Sequence, residues 1–238
     1  MYLLTGGSGL LGKELLKIME ENGVQHIAPK SSEVDITRKR QVRKIFTGVP
    51  LRHDQITHII HCAAATGVAK GEEKNAKERF YLTNVIGTRN VLELATLFSC
   101  PITYISTDYV FDGEKDSPYK IKDIPNPLSY YAMTKLIGEE IVRTYKRSQV
   151  IRTSFKSSKW KDKGAFVDQI TSADYVDVIA KLIWKVVDSE EFGVFHVGTK
   201  PKTTYSLAKK RNPEVEKISV NDIAVKIPRD VSLELSEL

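Results

Sequence analysis

Cysteine, methionine and tryptophan are scarce in this chain of 238 residues, which has two, three and two of them. Two cysteines, Cys62 and Cys100, are too few for a disulfide framework, which fits a reducing compartment. Long apolar runs are also missing, since none approaches the roughly 20 residues of a membrane span. The N-terminus MYLLTGGSG shows no signal-peptide pattern. We therefore expect a cytoplasmic protein with no membrane partner.

Clustered metal ligands and charge of a single sign are absent as well. The five histidines are scattered and lack cysteine partners at zinc-like spacing, so the sequence predicts no metal site. The net charge is +6, from 36 basic and 30 acidic residues that are interleaved. The basic run RKRQVRK at 38–44 is better explained as a solvated helix face than as a nucleic-acid patch. We expect no nucleic-acid partner, and a polyanionic small substrate suits such a protein better.

Short apolar runs alternate with segments of helical periodicity along the chain. The predicted strands are 2–5, 24–28, 58–62, 102–106, 149–153 and 194–198, and the predicted helices are 10–22, 38–47, 75–98, 130–146 and 173–188. Parallel strands need crossover connections, so this alternation predicts an α/β fold, a doubly wound parallel sheet of the Rossmann type. The connection 108–129 is too long for a plain turn, and such loops usually carry function.

A glycine-rich turn follows the first predicted strand. In TGGSGLLG, Gly6, Gly9 and Gly12 have the spacing G-x-x-G-x-x-G. Such a turn lets backbone N–H groups and the next helix N-terminus approach a pyrophosphate, and its last glycine permits close helix packing. The pattern is weak alone, but here it links a strand to a helix, as dinucleotide binding requires. We therefore predict a dinucleotide site.

The residues after the second predicted strand bear on the choice of cofactor. A carboxylate there would bind both ribose hydroxyls and select NAD, but the chain reads APKSSEVD. Lys30, Ser31 and Ser32 suit a 2′-phosphate better, so NADP(H) is favoured and NAD(H) remains possible. Asp35 lies farther along the chain, where it would reach the adenine.

The third predicted strand is followed by the small residues Ala63, Ala64 and Ala65, in HCAAATG. They would let a cofactor lie flat against the strand ends. A tightly packed junction between strand and helix explains them nearly as well, so this segment alone decides nothing.

Tyr131 and Lys135 share one helix face, because they lie four residues apart in YYAMTK. Tyr205 and Lys209 have the same spacing, so context must distinguish the two pairs. Only the first pair follows a strand end with hydroxyls, at 106–107, where open α/β sheets bind ligands. We interpret the second pair as a surface pair.

A hydroxyl, a phenol and an ammonium would converge on one carbonyl if Thr107, Tyr131 and Lys135 meet. Lys135 would make the phenol more acidic, so that Tyr131 exchanges a proton near neutral pH. Tyr130 lies about 100° around the helix from Tyr131 and is expected to pack or to face solvent.

These segments, with others, resemble an extended short-chain dehydrogenase/reductase, and among its members the dTDP-4-dehydrorhamnose reductase family. The similar segments are TGGSGLLG, DIT (35–37), CAAATGV, LTNVIGTRNVLELA, STDYVFDG, YYAMTK with GEE, VIRTSF and the ending PRDVSLELSEL. The similarity is dense over 1–155 and thin afterwards.

The resemblance implies an NAD(P)-binding Rossmann domain at 1–153, and a small C-terminal substrate region at 154–238 that is partly interleaved with the sheet. It also implies hydride transfer to C4 of a nucleotide-linked 4-keto-6-deoxysugar, as in dTDP-rhamnose biosynthesis. Thr107, Tyr131 and Lys135 would then be the catalytic residues. Tyr131 would give the proton, and Lys135 would also bind the nicotinamide ribose.

The same resemblance implies the remaining site residues. Those for the pyrophosphate are Gly6, Ser8, Gly9, Leu10, Leu11 and Gly12, and Asp35 and Ile36 hold the adenine. Residues after the second and third predicted strands complete the predicted cofactor set together with Tyr131 and Lys135: Lys30, Ser31, Cys62, Ala63 and Ala64. Those near the sugar are Thr66, Val68, Asp108 and Phe155.

The sequence argues against one related activity, that of a dehydratase, and leaves another, that of an epimerase, open. Nucleotide-sugar 4,6-dehydratases typically carry Asp-Glu after the catalytic threonine, but here Tyr109 follows Asp108, which argues against a dehydratase. An epimerase uses the same Tyr–Lys pair and stays open.

A regulatory, non-catalytic dinucleotide-binding subunit also stays open, as in the relative that regulates methionine adenosyltransferase. Only 156–167 separate VIRTSF from DQITSADY, where relatives usually have a longer substrate segment. The intact catalytic residues argue against this alternative. A homodimer is expected by analogy, because the helices near 75–98 and 130–146 form a dimer interface in many relatives.

Overall fold

Apolar runs form strands and periodic segments form helices in the computed structural model, which describes residues 1–47 and 56–237. The strands are β1 (Tyr2–Thr5), β2 (His26–Ile27), β3 (His58–His61), β4 (Ile102–Ile105), β5 (Ser148–Arg152), β6 (Phe155–Lys156), β7 (Gly164–Phe166), β8 (Ile170–Thr171), β9 (Asp174–Tyr175), β10 (Gly193–His196), β11 (Lys202–Thr203), β12 (Glu216–Ile218) and β13 (Asp230–Val231). The α-helices are α1 (Leu10–Glu21), α2 (Lys39–Thr47), α3 (Val68–Glu72), α4 (Lys77–Tyr81), α5 (Thr88–Phe98), α6 (Tyr130–Arg143), α7 (Val176–Asp188) and α8 (Thr204–Lys209).

Six of these strands form one parallel sheet in the order β10-β5-β4-β3-β1-β2. This confirms the predicted α/β fold of the Rossmann type. The chain leaves β1 towards β2 on one side and returns to β3 on the other, and ligands of open α/β sheets bind at such a reversal. β10 comes from the region after 153, so the C-terminal part of the chain supplies an edge strand of the main sheet.

The two faces of the sheet are covered by separate apolar cores. Leu4 and Ile60 pack on one face with α1 and α7, while their chain neighbours Leu3 and Ile59 pack on the other face with α5. Because successive side chains of a strand point to opposite faces, strands buried on both sides are apolar throughout. Full burial of each such side chain contributes about 1.5–3 kcal/mol.

Two predicted helices differ from the structure in detail. The segment predicted at 173–188 becomes helical only at Val176, because 174–175 pair as β9 with β6. The segment predicted at 75–98 is helical, but a π-helical turn at Leu82–Gly87 joins α4 to α5. In this turn the Asn84 amide pairs with both the N–H and the carbonyl of Ala65, at 2.8 and 3.0 Å. Such turns are frequent at functional sites.

The C-terminal tail holds the long 108–129 connection against the rest of the protein. Phe111 and Tyr119 stack with their ring centroids 4.1 Å apart and pack with Leu233 of the tail. Farther on, the Ser236 hydroxyl accepts from the His196 backbone N–H at 3.0 Å. The tail therefore ties the connection to β10. Over the described ranges, every helix is too short or too polar to cross a bilayer.

Candidate active site

Two adjoining cavities form a groove along the carboxyl ends of the central strands. The first, about 410 Å³, runs from the glycine turn to the residues after β2. The second, about 350 Å³, runs from the same turn to the ends of β4 and β5. They share Gly6, Gly9, Cys62 and Ala64, so one elongated ligand can span both.

The glycine turn presents backbone rather than side chains to this groove. Gly6 has a φ of +77°, and a Cβ there would lie 2.6 Å from the Ala63 nitrogen. The Gly9 N–H closes the turn on the Gly6 carbonyl at 2.9 Å. α1 then begins without a side-chain cap, and Leu10 and Leu11 line the second cavity. Uncapped N–H groups at a helix start favour an anion, so the turn fits the pyrophosphate of a dinucleotide.

Gly12 allows α1 to approach the turn, and Gly12→Ala tests this requirement. Its added Cβ would lie against the Gly6 carbonyl oxygen and 2.7 Å from the Gly7 Cα, both of them backbone atoms. Overpacking costs about 1–3 kcal/mol. We therefore expect the NADPH dissociation constant to rise by roughly 5- to 150-fold, measured by fluorescence titration.

The matched control for this substitution is Gly23→Ala, at the end of α1. Gly23 also has a positive φ, +66°, but a Cβ added there would meet nothing within 4 Å. Gly23→Ala should lower stability without weakening NADPH binding. Unchanged NADPH binding in Gly12→Ala would contradict the assigned role of the turn.

The far end of the first cavity is lined by Ser31, Asp35 and Ile36, as predicted for the adenosine. The Asp35 carboxylate accepts from the Thr37 N–H and hydroxyl, at 2.9 and 2.7 Å, and lies 3.3 Å from the Arg38 guanidinium. Its acceptor capacity is thus largely used within the loop.

Lys30 is exposed and does not line the groove, whereas Arg79 of α4 does. Among the described residues, the cation that lines the adenosine end therefore comes from α4, and sequence reasoning missed it. The spacing of Arg79 and Thr83, which lines the same cavity, was the available signal, because residues four apart share a helix face.

The structure brings Thr107, Tyr131 and Lys135 to one wall of the second cavity. α6 begins at Tyr130, and the Ser129 hydroxyl caps it by accepting from the Ala132 N–H at 3.2 Å. Tyr131 and Lys135 consequently lie one turn apart on the same face.

Tyr131 is held by aromatic packing and Lys135 by a cation–π contact. The Tyr131 ring meets Phe80 edge-on, with centroids 6.2 Å apart. The Lys135 ammonium lies 4.0 Å from the centroid of the Tyr104 ring, whose hydroxyl donates to the Lys135 carbonyl at 3.0 Å. Both reactive side chains are thus fixed by neighbours that do not line the cavity.

Tyr130 and Tyr205, which the sequence analysis left without a catalytic role, are not among the described residues that line the groove. Tyr130 packs under the Lys77 ammonium, 5.2 Å from its ring centroid. Tyr205 and Lys209 contact each other at the surface of α8, with the ammonium 3.4 Å from the phenol oxygen.

The direction of the Tyr131 pKa shift is opposite to the one expected from the sequence. Burial and the negative charge of Asp108 raise the pKa of Tyr131 to about 12, although a hydrogen bond with Thr107 offsets part of the rise. Burial also lowers the pKa of Lys135 to about 7, with Cys62 and Glu139 acting in the other direction. The phenol therefore keeps its proton at neutral pH, which suits a proton donor better than a base.

Asp108 and Val68, predicted to contact the sugar, are not among the described residues that line the two cavities. Asp108 is buried behind Thr107, with its carboxylate 3.2 Å from the Thr107 hydroxyl and 3.4 Å from that of Thr171. Burial raises the pKa of Asp108 to about 7. Its place in the structure is therefore to orient Thr107.

A buried ion pair between Glu139 and Arg152 supports the catalytic wall from behind. The two side chains are 0% and 2% exposed, and the Arg152 Nη2 lies 2.6 Å from the Glu139 Oε1. The second carboxylate oxygen accepts from the Ser106 hydroxyl at 2.9 Å. Glu139 lies one turn after Lys135 and therefore joins α6 to the ends of β4 and β5.

Both cysteines are free thiols, and Cys62 lines both cavities. Within residues 1–47 and 56–237, no three His, Cys, Asp or Glu side chains are grouped as metal ligands.

Comparison with known proteins identifies relatives of this chain. The family model described as the RmlD substrate binding domain matches residues 1–171. A dTDP-4-dehydrorhamnose reductase of Aggregatibacter actinomycetemcomitans is 31% identical over 222 residues, which cover 84% of this chain and 73% of that protein. The methionine adenosyltransferase 2 subunit beta of Bos taurus is 35% identical over 148 residues, which cover 59% of this chain and 42% of that protein.

A solved structure extends the similarity to nearly the whole chain. The dTDP-4-dehydrorhamnose reductase of Bacillus anthracis, crystallised in complex with NADP, superposes with a TM-score of 0.85 at 26% identity. The superposition covers 99% of this chain and 89% of that one.

Proposed function

Since this chain belongs to the RmlD family, that of the dTDP-4-dehydrorhamnose reductases, we propose that it is an NADPH-dependent reductase of a nucleotide-linked 4-keto-6-deoxysugar. The observation that carries the proposal is the meeting of Thr107, Tyr131 and Lys135 in a cavity continuous with the glycine turn. The relatives named as dTDP-4-dehydrorhamnose reductases are NAD(P)-dependent oxidoreductases. We propose specifically that C4 of the sugar accepts the hydride and that Tyr131 donates the proton.

The chain's own residues perform the following steps. The turn around Gly6 and Gly9 holds the pyrophosphate, and the Lys135 ammonium donates to the nicotinamide ribose hydroxyls. When bound, the reduced nicotinamide supplies the hydride. The Thr107 hydroxyl orients the sugar carbonyl oxygen. Tyr131 then donates its proton to that oxygen as negative charge develops there, and the adjacent ammonium stabilises the resulting phenolate.

NADP(H) is proposed over NAD(H) because the adenosine end of the groove offers a hydroxyl and a cation. Ser31 and Arg79 line this cavity. A guanidinium and a hydroxyl suit a 2′-phosphate, whereas Asp35, the one carboxylate among the lining residues that the structure describes, is already paired with Thr37 and Arg38.

Thr66 and Phe155, which line the catalytic cavity, are proposed to contact the sugar. The division into a cofactor-binding domain at 1–153 and a substrate region at 154–238 stays a prediction. The homodimer stays a prediction as well.

The proposal is tested by incubating the purified protein with NADPH or NADH and a panel of 4-keto nucleotide sugars, dTDP-4-dehydrorhamnose among them. We expect NADPH oxidation that requires the 4-keto sugar and is faster than with NADH. A protein that binds NADPH but oxidises it with no 4-keto nucleotide sugar would refute the proposal.

Two other functions give different results in the same assay. The similarity to a methionine adenosyltransferase subunit favours a regulatory role as the second candidate. That role requires a co-purifying partner enzyme and no intrinsic turnover. An epimerase would invert a sugar centre with no net consumption of NADPH.

The affinity for NADPH is expected to fall as pH rises from about 7 to 9. The pKa of Lys135 is lowered to about 7, so its ammonium is present below this pH and is lost above it. Losing a charged donor to the ribose should weaken binding by up to about tenfold, measured by fluorescence titration across pH.

Asp108 is the control for this pH dependence, because burial raises its pKa to about 7 as well. Lys135→Met should abolish the dependence, and Asp108→Asn should retain it. A wild-type affinity that is flat between about pH 7 and 9 would contradict the role given to Lys135.

A further inference from the structure

The side-chain hydroxyl of Thr153 is buried and has no hydrogen-bond partner among the residues that the structure describes. Thr153 is 2% exposed and lines the catalytic cavity beside Thr107, Tyr131 and Lys135. A buried hydroxyl without a partner destabilises a protein, so each one calls for a physical explanation.

The fold gives no reason for a hydroxyl at this position. The backbone of Thr153 is used, because its carbonyl accepts from the Asp108 N–H at 3.3 Å. The side-chain hydroxyl, however, makes no hydrogen bond to any residue that the structure describes. Valine has nearly the same shape and would fill this space without burying an unpaired polar group. The hydroxyl therefore points to a ligand that completes its hydrogen bond.

Two other buried hydroxyls of the cavity wall, those of Ser106 and Thr107, already have partners inside the protein. The Ser106 hydroxyl donates to Glu139, and the Thr107 hydroxyl donates to Asp108 while accepting from the Tyr109 N–H. Thr153 differs from both, because its donor and its acceptor capacity are both unused.

The position of Thr153 along the groove indicates which part of a ligand it meets. The groove runs from the adenosine end beside β2, past the glycine turn at β1, to the ends of β4 and β5. Thr153 directly follows β5, at the end opposite the adenosine pocket. A dinucleotide bound along this path places its nicotinamide there, and a nicotinamide carries a carboxamide with N–H donors and a carbonyl acceptor.

The packing around β5 indicates on which face of the sheet the Thr153 side chain lies. Arg152 pairs with Glu139 of α6, the helix that carries Tyr131 and Lys135, whereas Ile151 packs in the core beneath α1 and α7. The Ser106 and Asp108 N–H groups donate to the carbonyls of Ile151 and Thr153, so the ladder continues past the end of β5. Alternation of side chains along this extended backbone puts Thr153 on the side of Ile151. That side holds the start of α1 and the glycine turn, where the cofactor pyrophosphate is proposed to bind, while the sugar carbonyl must face Tyr131.

We propose that the Thr153 hydroxyl binds the nicotinamide carboxamide. Its oxygen accepts a hydrogen bond from a carboxamide N–H and so fixes the ring over the sugar. This inference rests on the proposed NADPH-dependent function.

Thr153→Val and Thr153→Ser test the proposal on the intact protein. Dissociation constants are measured for NADPH and for 2′-phospho-ADP-ribose, which lacks the nicotinamide. Thr153→Val should weaken NADPH binding by about three- to tenfold and leave 2′-phospho-ADP-ribose unchanged. Thr153→Ser keeps the hydroxyl and should bind NADPH like the wild type.

Two further measurements separate a binding role from a structural one. The ligand-free Thr153→Val protein should melt about 2–4 °C higher than the wild type, because an unpaired buried hydroxyl has been removed. The 3-acetylpyridine analogue of NADPH has a methyl group in place of the amide nitrogen. It should bind the wild type more weakly than NADPH, whereas Thr153→Val should bind both equally.

Equal NADPH affinity in Thr153→Val and wild type would overturn the proposal, as would an equal loss for 2′-phospho-ADP-ribose. An unchanged NADPH dissociation constant with a raised KM for the keto sugar would assign the hydroxyl to the sugar and overturn it too. A wild-type protein that binds no NADPH would refute the proposed function itself, so the two failures are distinguishable.

Discussion

Tyr131→Phe is expected to lower kcat for keto-sugar reduction by about 10²- to 10⁴-fold, the usual contribution of a positioned general acid. The pKa of Tyr131 is raised to about 12, so the phenol is protonated throughout the neutral range and is ready to donate. Phenylalanine keeps the ring that packs edge-on against Phe80 but has no proton to give. Steady-state kinetics with saturating NADPH and keto sugar measure the effect.

Tyr130→Phe is the matched control, one residue earlier on the same helix. The Tyr130 ring packs under Lys77, and its phenol has no assigned role in the reaction. This variant should retain wild-type kcat, and both variants should bind NADPH normally. Full turnover by Tyr131→Phe would show that another group is the acid.

Glu139→Gln is expected to cause the largest loss of stability. It leaves the Arg152 guanidinium buried without a counterion, since both side chains are almost fully buried. Breaking a buried pair from one side costs about 3–5 kcal/mol, a large part of the roughly 5–15 kcal/mol that stabilises a domain. The melting temperature should fall on the order of 10 °C, measured by calorimetry.

Glu140→Gln provides the control at the next position of α6. Glu140 pairs with Arg143 at the surface, where its side chain is 55% exposed, so its loss should change stability by less than about 1 kcal/mol. The double variant Glu139→Leu with Arg152→Leu should recover much of the stability, because neither charge is then left buried alone. Equal melting temperatures for Glu139→Gln and Glu140→Gln would contradict the structural role of the pair.

The features that the sequence predicted well are local ones. The order of strands and helices follows from periodicity, and the glycine turn follows from spacing that only a tight backbone permits. Tyr131 is distinguished from Tyr205 by its position after a hydroxyl-bearing strand end and a long connection. The structure brings these residues together because the carboxyl ends of parallel strands share one edge of the sheet.

The features that the sequence did not predict depend on tertiary burial. The Tyr131 pKa rises because of burial and the nearby Asp108 carboxylate, and neither is visible in a spacing of four residues. Glu139 and Arg152 are 13 positions apart, and nothing local indicates that they pair. Asp108 follows Thr107, which suggests a sugar ligand, but the chain turns it inward. The missing partner of Thr153 likewise depends on what surrounds it.

The most direct measurement of the central claim uses NADPH that carries deuterium at the transferable C4 position of the nicotinamide. We predict that this deuterium appears at C4 of the sugar, one per NADPH oxidised, when the product of the 4-keto nucleotide sugar is analysed by NMR and mass spectrometry. Deuterium at another carbon, or a sugar product formed without deuterium, would contradict hydride transfer to C4.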